Sequence, residues 1–115
     1  MYHSSEIIIG EYLEQSALQY GFSIQDYKNP PKPSLLADNE SIYSIGSHDL
    51  TLLFTPGHAP GHVSLYYPSS DFTLSGAYSD TYDCNSIVIA GDTLFAGSIG
   101  RTDLPLGNHN QLIES

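Results

Sequence analysis

Two apolar runs constrain this fold more than any other feature of the sequence. Residues 50–54 (LTLLF) and 87–90 (IVIA) lack the polar alternation of a strand with one face in water, so they are typical of strands covered on both faces. A chain of 115 residues is one domain at most, and it offers one long helical segment to cover the sheet. We therefore expect a mixed α and β fold whose sheet is incompletely covered.

The first long element is predicted to be an amphipathic helix over residues 5–20. Ser4 or Ser5 is the expected cap, Glu6 in the first turn suits the helix dipole, and Gly21 is the expected C-terminal stop. The apolar residues three and four apart that define its expected buried face are Ile9, Tyr12, Leu13, Ala17 and Tyr20.

The rest of the chain predicts strands joined by turns. A Pro-rich connector over residues 26–40 separates them from the helix, because proline removes backbone donors. Residues 68–85, rich in Ser, Asp, Gly and Tyr, predict an irregular excursion, and Asn108 is the expected cap of a short final helix. The predicted strands are residues 41–45, 50–54, 62–67 and 86–90, the first two forming a hairpin.

Composition excludes several classes of partner. The chain has 13 Asp and Glu against 3 Lys and Arg, a net charge of −10, which disfavours nucleic acid and anionic membrane surfaces. The single Cys84 cannot form an intramolecular disulfide, and we expect neither a signal peptide nor a membrane-spanning segment. We expect a cytoplasmic protein.

The motif TPGHAPGH, residues 55–62, follows the apolar run 50–54 directly. Its prolines and glycines fix a tight turn, so His58 is expected to project from a strand end. Two histidines four apart in this frame favour a metal ligand at His58, and a hydrogen-bonded or surface histidine is the alternative. For His62 the expected role is a hydrogen bond that holds the loop.

A second candidate follows the run 87–90, where Gly91 precedes Asp92. This order puts a carboxylate at the carboxyl edge of the sheet with no side chain before it to block approach. The sequence predicts a metal ligand or an acid/base at Asp92, with a helix cap or turn former as the alternative.

The two motifs together, TPGHAPGH and then GDTLFAGSIGRTD at residues 91–103, resemble the metallo-β-lactamase superfamily, in particular its glyoxalase II-like hydrolases. The resemblance covers roughly residues 50–115 and extends more weakly to the N-terminal piece. It implies an αβ/βα sandwich of which this chain holds about half. Residues 1–115 are then one partial domain, with a strand end and helix in 1–25, the connector in 26–40 and the metal-ligand motifs in 41–115.

The resemblance also implies a site. His58 would be a ligand of the first metal ion, and Asp92 would be catalytic as the carboxylate that bridges two metals around the hydroxide that attacks the substrate. The implied cofactor is zinc, one or two ions, with iron or manganese as alternatives. The residues expected to have structural roles beside these ligands are His62, Gly57, Gly91 and Thr93.

The implied substrate of the parent enzyme is a glutathione thioester. Arg101 matches a basic residue that can contact a peptide carboxylate in glutathione-using relatives, and Asp103 falls where some relatives place a substrate-contacting Tyr. An ion pair between Arg101 and Asp103, or a loop cap, is an equally good structural role for the arginine.

Departures from the family pattern lower the expected activity. The motif His-x-His-x-Asp-His is absent, and the last histidine ligand of the family lies beyond Ser115. A catalytic zinc site generally needs three protein ligands, so we expect a weakly held metal and a weakly active or inactive chain. The other histidines, His3, His48 and His109, are expected to be exposed.

Two alternatives remain at this point. One is a non-catalytic module that associates with a second copy through its incomplete sheet. The other is a different chemistry on the same fold, lactone hydrolysis or iron-dependent persulfide oxidation.

Overall fold

The computed structural model describes residues 3–23, 25, 27, 40–75 and 81–115, with the backbone alone for 69–75 and 81–83. The predicted connector falls almost entirely outside these ranges, as does the predicted strand end before His3.

The described residues contain a four-stranded antiparallel sheet in the order β1-β2-β3-β4. The predicted hairpin is confirmed, with β1 and β2 joined by a two-residue turn. Leu52 pairs with Leu65, which pairs in turn with Ile89. A small second hairpin, β5 with β6, follows Asp92 and was not predicted. The strands are β1 (Ile42–Ile45), β2 (His48–Phe54), β3 (Val63–Ser75), β4 (Thr81–Ile89), β5 (Leu94–Phe95) and β6 (Ser98–Ile99).

The predicted excursion over residues 68–85 is wrong for most of its length. β3 and β4 continue as a paired ribbon until Ser75 faces Thr81. The register shifts between Pro68 and Phe72, where the proline offers no N–H to the ladder. The ribbon extends beyond the residues of β3 that pair with β2. The apolar alternation that we used to predict strands marks a face packed against a core, and a two-stranded ribbon can form without one.

The predicted helix is confirmed as a 3-10 turn, Ser4–Glu6, that leads into α1, Ile7–Gln19. Gly21 follows with a left-handed backbone, as expected. The predicted serine cap is wrong, because Nδ1 of His3 accepts the Ser5 N–H at 3.2 Å. The predicted exposure of His3 is also wrong, since its ring is buried and stacks on Phe54 with centroids 4.3 Å apart.

The apolar face predicted for α1 is not buried. All residues of α1 are described and none is buried, with Tyr12 and Leu13 both open to solvent. Among the described residues, no helix is long and apolar enough to span a bilayer.

The core is small. Within the described ranges the buried apolar side chains are Leu50, Leu52 and Leu112, while Ile45 and Ile89 on the same sheet face as Leu52 are more than half exposed. Leu112 belongs to α2, His109–Glu114, whose predicted cap is confirmed because Asn108 Oδ1 accepts the Gln111 N–H at 3.1 Å.

Candidate metal centre

His58 and Asp92 meet at one edge of the sheet. His58 lies in the loop that follows β2, and Asp92 lies in the turn that follows β4. Nε2 of His58 is 3.6 Å from Oδ2 of Asp92, and the carboxylate remains largely exposed while the imidazole is mostly covered. The antiparallel order β2-β3-β4 brings these two predicted site residues together, because β2 and β4 run in the same direction on either side of β3.

The His58 ring is held in one orientation by the backbone. Its Nδ1 lies 2.9 Å from the carbonyl oxygen of Arg101. A carbonyl only accepts, so Nδ1 donates and Nε2 is the nitrogen that faces Asp92. Metal-ligating histidines typically donate their second nitrogen to a carbonyl or carboxylate in this way.

Glycines let the loops around these side chains pack closely. A Cβ on Gly57, whose φ is 135°, would collide with the backbone nitrogen of Leu112 in α2. The Gly57 carbonyl also accepts the Asn108 N–H at 2.7 Å, which ties the His58 loop to that helix. The expected structural role of Gly57 is therefore a close contact with α2, which the sequence did not reveal.

Glu6 also reaches the loop from the first turn of the chain. One of its carboxylate oxygens accepts the Gly61 N–H at 2.7 Å, and a Cβ on Gly61 would lie 2.5 Å from Cγ of Glu6. Sequence reasoning assigned Glu6 to the helix dipole and missed this link, since no local pattern connects residues 55 positions apart.

His62 lies behind the two candidate ligands. Its Nδ1 is 2.9 Å from Oγ1 of Thr55 and 3.0 Å from Oγ1 of Thr93, and its Nε2 is 3.1 Å from the Asp92 backbone nitrogen. Burial, and then the nearby His58, lower the pKa of His62 below its usual value. Sequence reasoning placed His62 and Thr93 beside the site but missed Thr55, for which the only signal was its position at the start of TPGHAPGH.

The Arg101 side chain is paired with Asp103. Its Nε and a terminal nitrogen donate to the two carboxylate oxygens at 2.8 and 2.7 Å. These hydrogen bonds lower the pKa of Asp103 to about 2 and raise that of Arg101. The ion pair between Arg101 and Asp103, one of the alternatives that the sequence left open, is therefore present. The part of Arg101 that contacts His58 is its backbone carbonyl.

Arg101→Gln is expected to raise the pKa of Asp103 from about 2 towards 3.8, because the charge-assisted hydrogen bonds are lost. The measurement is an NMR titration of the Asp103 carboxyl carbon, with Arg101→Lys as the intermediate case. In the wild type the ion pair stabilises the fold above pH 3.8, and this contribution disappears as the pH falls towards 2. An unchanged midpoint in the Gln variant would contradict the pairing.

The candidate ligand atoms at this edge are chemically suited to a metal ion, but they are few. Imidazole nitrogen and carboxylate oxygen suit zinc, iron and manganese. Within the described ranges, no group of three or more His, Cys, Asp or Glu side chains gathers at one place. His48 contacts the Tyr67 hydroxyl at 2.9 Å and His109 begins α2, so neither supplements His58.

Comparison with known proteins decides the family. No family model matches the sequence. The "Probable metallo-hydrolase YqgX" of Bacillus subtilis (strain 168) is 41% identical over 80 residues, which are 70% of this chain and 31% of that protein. The "Hydroxyacylglutathione hydrolase GloC" of Haemophilus influenzae is 31% identical over 74 residues, which are 64% of this chain and 28% of that protein.

Solved structures agree with the sequence relatives. The BLEG-1 B3 metallo-beta-lactamase is 31% identical and superposes with a TM-score of 0.61, covering 97% of this chain and 46% of that one. This chain belongs to the metallo-β-lactamase superfamily. A second solved structure, TTHA1623 in a di-iron-bound form, is 28% identical with the same TM-score, covering 98% of this chain and 46% of that one.

These relatives and solved structures confirm the family and the fold class that the two motifs led us to expect. The chain spans about a third of the length of the curated relatives it matches. The two curated relatives named above are a probable metallo-hydrolase and a hydroxyacylglutathione hydrolase, and the TTHA1623 structure is a di-iron-bound form.

Proposed function

We propose that this chain supplies His58 and Asp92 to the metal centre of a metal-dependent hydrolase, and that the whole protein acts on a glutathione thioester. The observation that carries the proposal is the His58 ring, fixed by the Arg101 carbonyl so that Nε2 faces Asp92 Oδ2 at 3.6 Å. The hydroxyacylglutathione hydrolases among the relatives support the substrate class.

Each residue has a defined task in this proposal. Nε2 of His58 and the exposed Asp92 carboxylate would hold the metal. When bound, the metal polarises the thioester carbonyl and lowers the pKa of the attacking water. The Arg101 carbonyl keeps the imidazole in its ligating orientation.

Charge supports a role for the cation in substrate binding as well. The chain has a net charge of −10, and a glutathione conjugate is an anion, so the field of the protein repels it until a metal changes the local potential. The Arg101 guanidinium is engaged by Asp103. A contact between Arg101 and a substrate carboxylate therefore requires the arginine to leave Asp103.

The test of metal binding is a titration of the chain with Zn²⁺, followed by NMR of the His58 ring protons and the Asp92 carboxyl carbon. Saturable shifts at both residues are expected in the wild type, with weak affinity because two ligands fall short of the usual three. His58→Ala and Asp92→Asn are each expected to weaken binding by more than tenfold. The matched control is His109→Ala, which removes an exposed imidazole in α2.

Two results would contradict the ligand assignment. One is Zn²⁺ affinity in His58→Ala or Asp92→Asn equal to that of the wild type. The other is the absence of any shift at His58 when Zn²⁺ is present at millimolar concentration.

A second candidate is the non-catalytic module that associates through its sheet. The observation that favours it is that two apolar side chains on one face of the sheet, Ile45 and Ile89, are exposed to solvent. Concentration-dependent association without any Zn²⁺ response at His58 would favour this candidate over the metal centre.

A further inference from the structure

His62 is the second histidine of the TPGHAPGH motif, and it contacts the same aspartate as the first by a different route. His58 faces the Asp92 carboxylate, whereas His62 meets the Asp92 backbone nitrogen. We propose that His62 is a positioning residue, which fixes the Asp92 carboxylate opposite His58 by accepting the Asp92 N–H. The inference rests on the proposed function, because it concerns the geometry of the same metal centre.

The Asp92 N–H has no hydrogen-bond partner within its own turn. Thr93 N–H donates to the Ala90 carbonyl at 3.0 Å and closes a turn in which Gly91 and Asp92 are the central residues. The closing bond of such a turn leaves the N–H of the third residue unpaired. Nε2 of His62 accepts it at 3.1 Å, so the imidazole restrains the turn that carries the carboxylate.

This contact fixes the tautomer of His62. The backbone N–H only donates, so Nε2 must present its lone pair and the ring proton must lie on Nδ1. Nδ1 is then the donor to a hydroxyl oxygen of Thr55 or Thr93, at 2.9 and 3.0 Å. His62 thus donates to a threonine hydroxyl through Nδ1 and accepts the Asp92 N–H through Nε2.

Buried hydroxyl groups hold the far side of the ring. Thr55 Oγ1 lies 2.9 Å from Ser64 Oγ, and these residues are 6% and 2% exposed. Thr55 directly follows β2 and Ser64 lies in β3, so the hydroxyl pair links His62 to the sheet. Positioning by a buried, fully hydrogen-bonded network is more exact than positioning by a loop alone.

Gly91 makes room for the contact. Its φ is +51°, and a Cβ there would lie 2.6 Å from His62 Nε2. Any side chain at this position would therefore push the imidazole away from the Asp92 N–H. Gly91 therefore leaves space for the hydrogen bond between the Asp92 N–H and His62, and His62 accepts that bond.

The test compares His62→Gln with His62→Asn in the full chain. A glutamine can place its oxygen near the position of Nε2 and accept the Asp92 N–H, whereas an asparagine reaches only the position of Nδ1. In the metal-free chain the Asp92 amide is expected to be protected from hydrogen exchange in the wild type and the Gln variant, and to lose at least tenfold protection in the Asn variant. Zn²⁺ affinity is expected to fall about 10-fold to 100-fold in His62→Asn, the range for losing an outer-shell partner, and to recover in His62→Gln.

A measurement on the wild type guards against a variant that fails to fold. The ¹⁵N chemical shifts of the His62 ring are expected to show the Nδ1–H tautomer in the metal-free chain. An Nε2–H tautomer would overturn the inference, as would His62→Asn with unchanged Asp92 protection and unchanged Zn²⁺ affinity. His48→Asn is the matched control at an exposed histidine outside the site.

The two proposals fail in different ways. In the first case, the hydrogen-exchange protection of the Asp92 amide depends on His62, but Zn²⁺ causes no shift at His58 in the wild type. This result supports the positioning role of His62 and overturns the proposed metal centre. Zn²⁺ bound at His58 and Asp92 with the same affinity in His62→Asn supports the metal centre and overturns the positioning role.

Discussion

Hydrolysis of S-lactoylglutathione is expected from a chimera in which the segment of this chain that matches the Haemophilus influenzae hydroxyacylglutathione hydrolase over 74 residues replaces its counterpart in that enzyme. In that setting the rest of the relative supplies whatever ligands complete the centre. His58→Ala and Asp92→Asn in the graft are each expected to lower kcat/KM by more than about a hundredfold, which exceeds the usual effect of losing an outer-shell partner. The 115-residue chain alone is expected to show little or no turnover.

The chimera is checked by steady-state kinetics together with metal content and thermal unfolding. His109→Ala in the graft is the control, since this exposed side chain lies in α2 away from the His58–Asp92 pair. A folded, metal-loaded chimera without turnover would contradict the proposed substrate class. Turnover by the chain alone that His58→Ala abolishes would contradict the expected shortage of ligands.

Gly100→Ala is expected to destabilise the fold and to disrupt the candidate metal centre together. Gly100 is buried, and a Cβ there would overlap the Asp92 carbonyl oxygen and lie 3.3 Å from Cβ of His58. Because the Gly100 N–H also donates to the Thr93 carbonyl at 3.2 Å, the backbone at Gly100 cannot move away without losing that bond. Overpacking of this kind typically costs about 1–3 kcal/mol of unfolding free energy.

Urea unfolding and the Zn²⁺ titration measure the two effects. Gly10→Ala is the control, because nothing lies near its added methyl group and it occupies the interior of α1. That variant is expected to gain up to about 1 kcal/mol from helix propensity. Equal stability of the Gly100 variant and the wild type would show that the close contact with Asp92 is not present in solution.

The sequence predicted the elements that follow from local periodicity and turn chemistry. α1, the β1–β2 hairpin and the Asn108 cap are where the apolar spacing and the capping residue indicated. The β3–β4 ribbon was missed because residues 68–85 lack the apolar periodicity that predicts a strand. His3 was misplaced because its burial depends on Phe54, a partner some fifty residues away that no local pattern can reveal.

For the candidate site, the sequence by itself determined the chemical groups and their places at strand ends. His58 follows an apolar strand within a Pro-Gly frame, and Asp92 follows another after a glycine, so the sequence was enough to predict both as candidate ligands. The tertiary structure alone decided that the two side chains meet at 3.6 Å, that the Arg101 carbonyl orients His58 and that His62 holds the Asp92 turn. These contacts join residues 30 to 43 positions apart. They exist because strand order and register set distances between segments, which the spacing of residues within one segment does not encode.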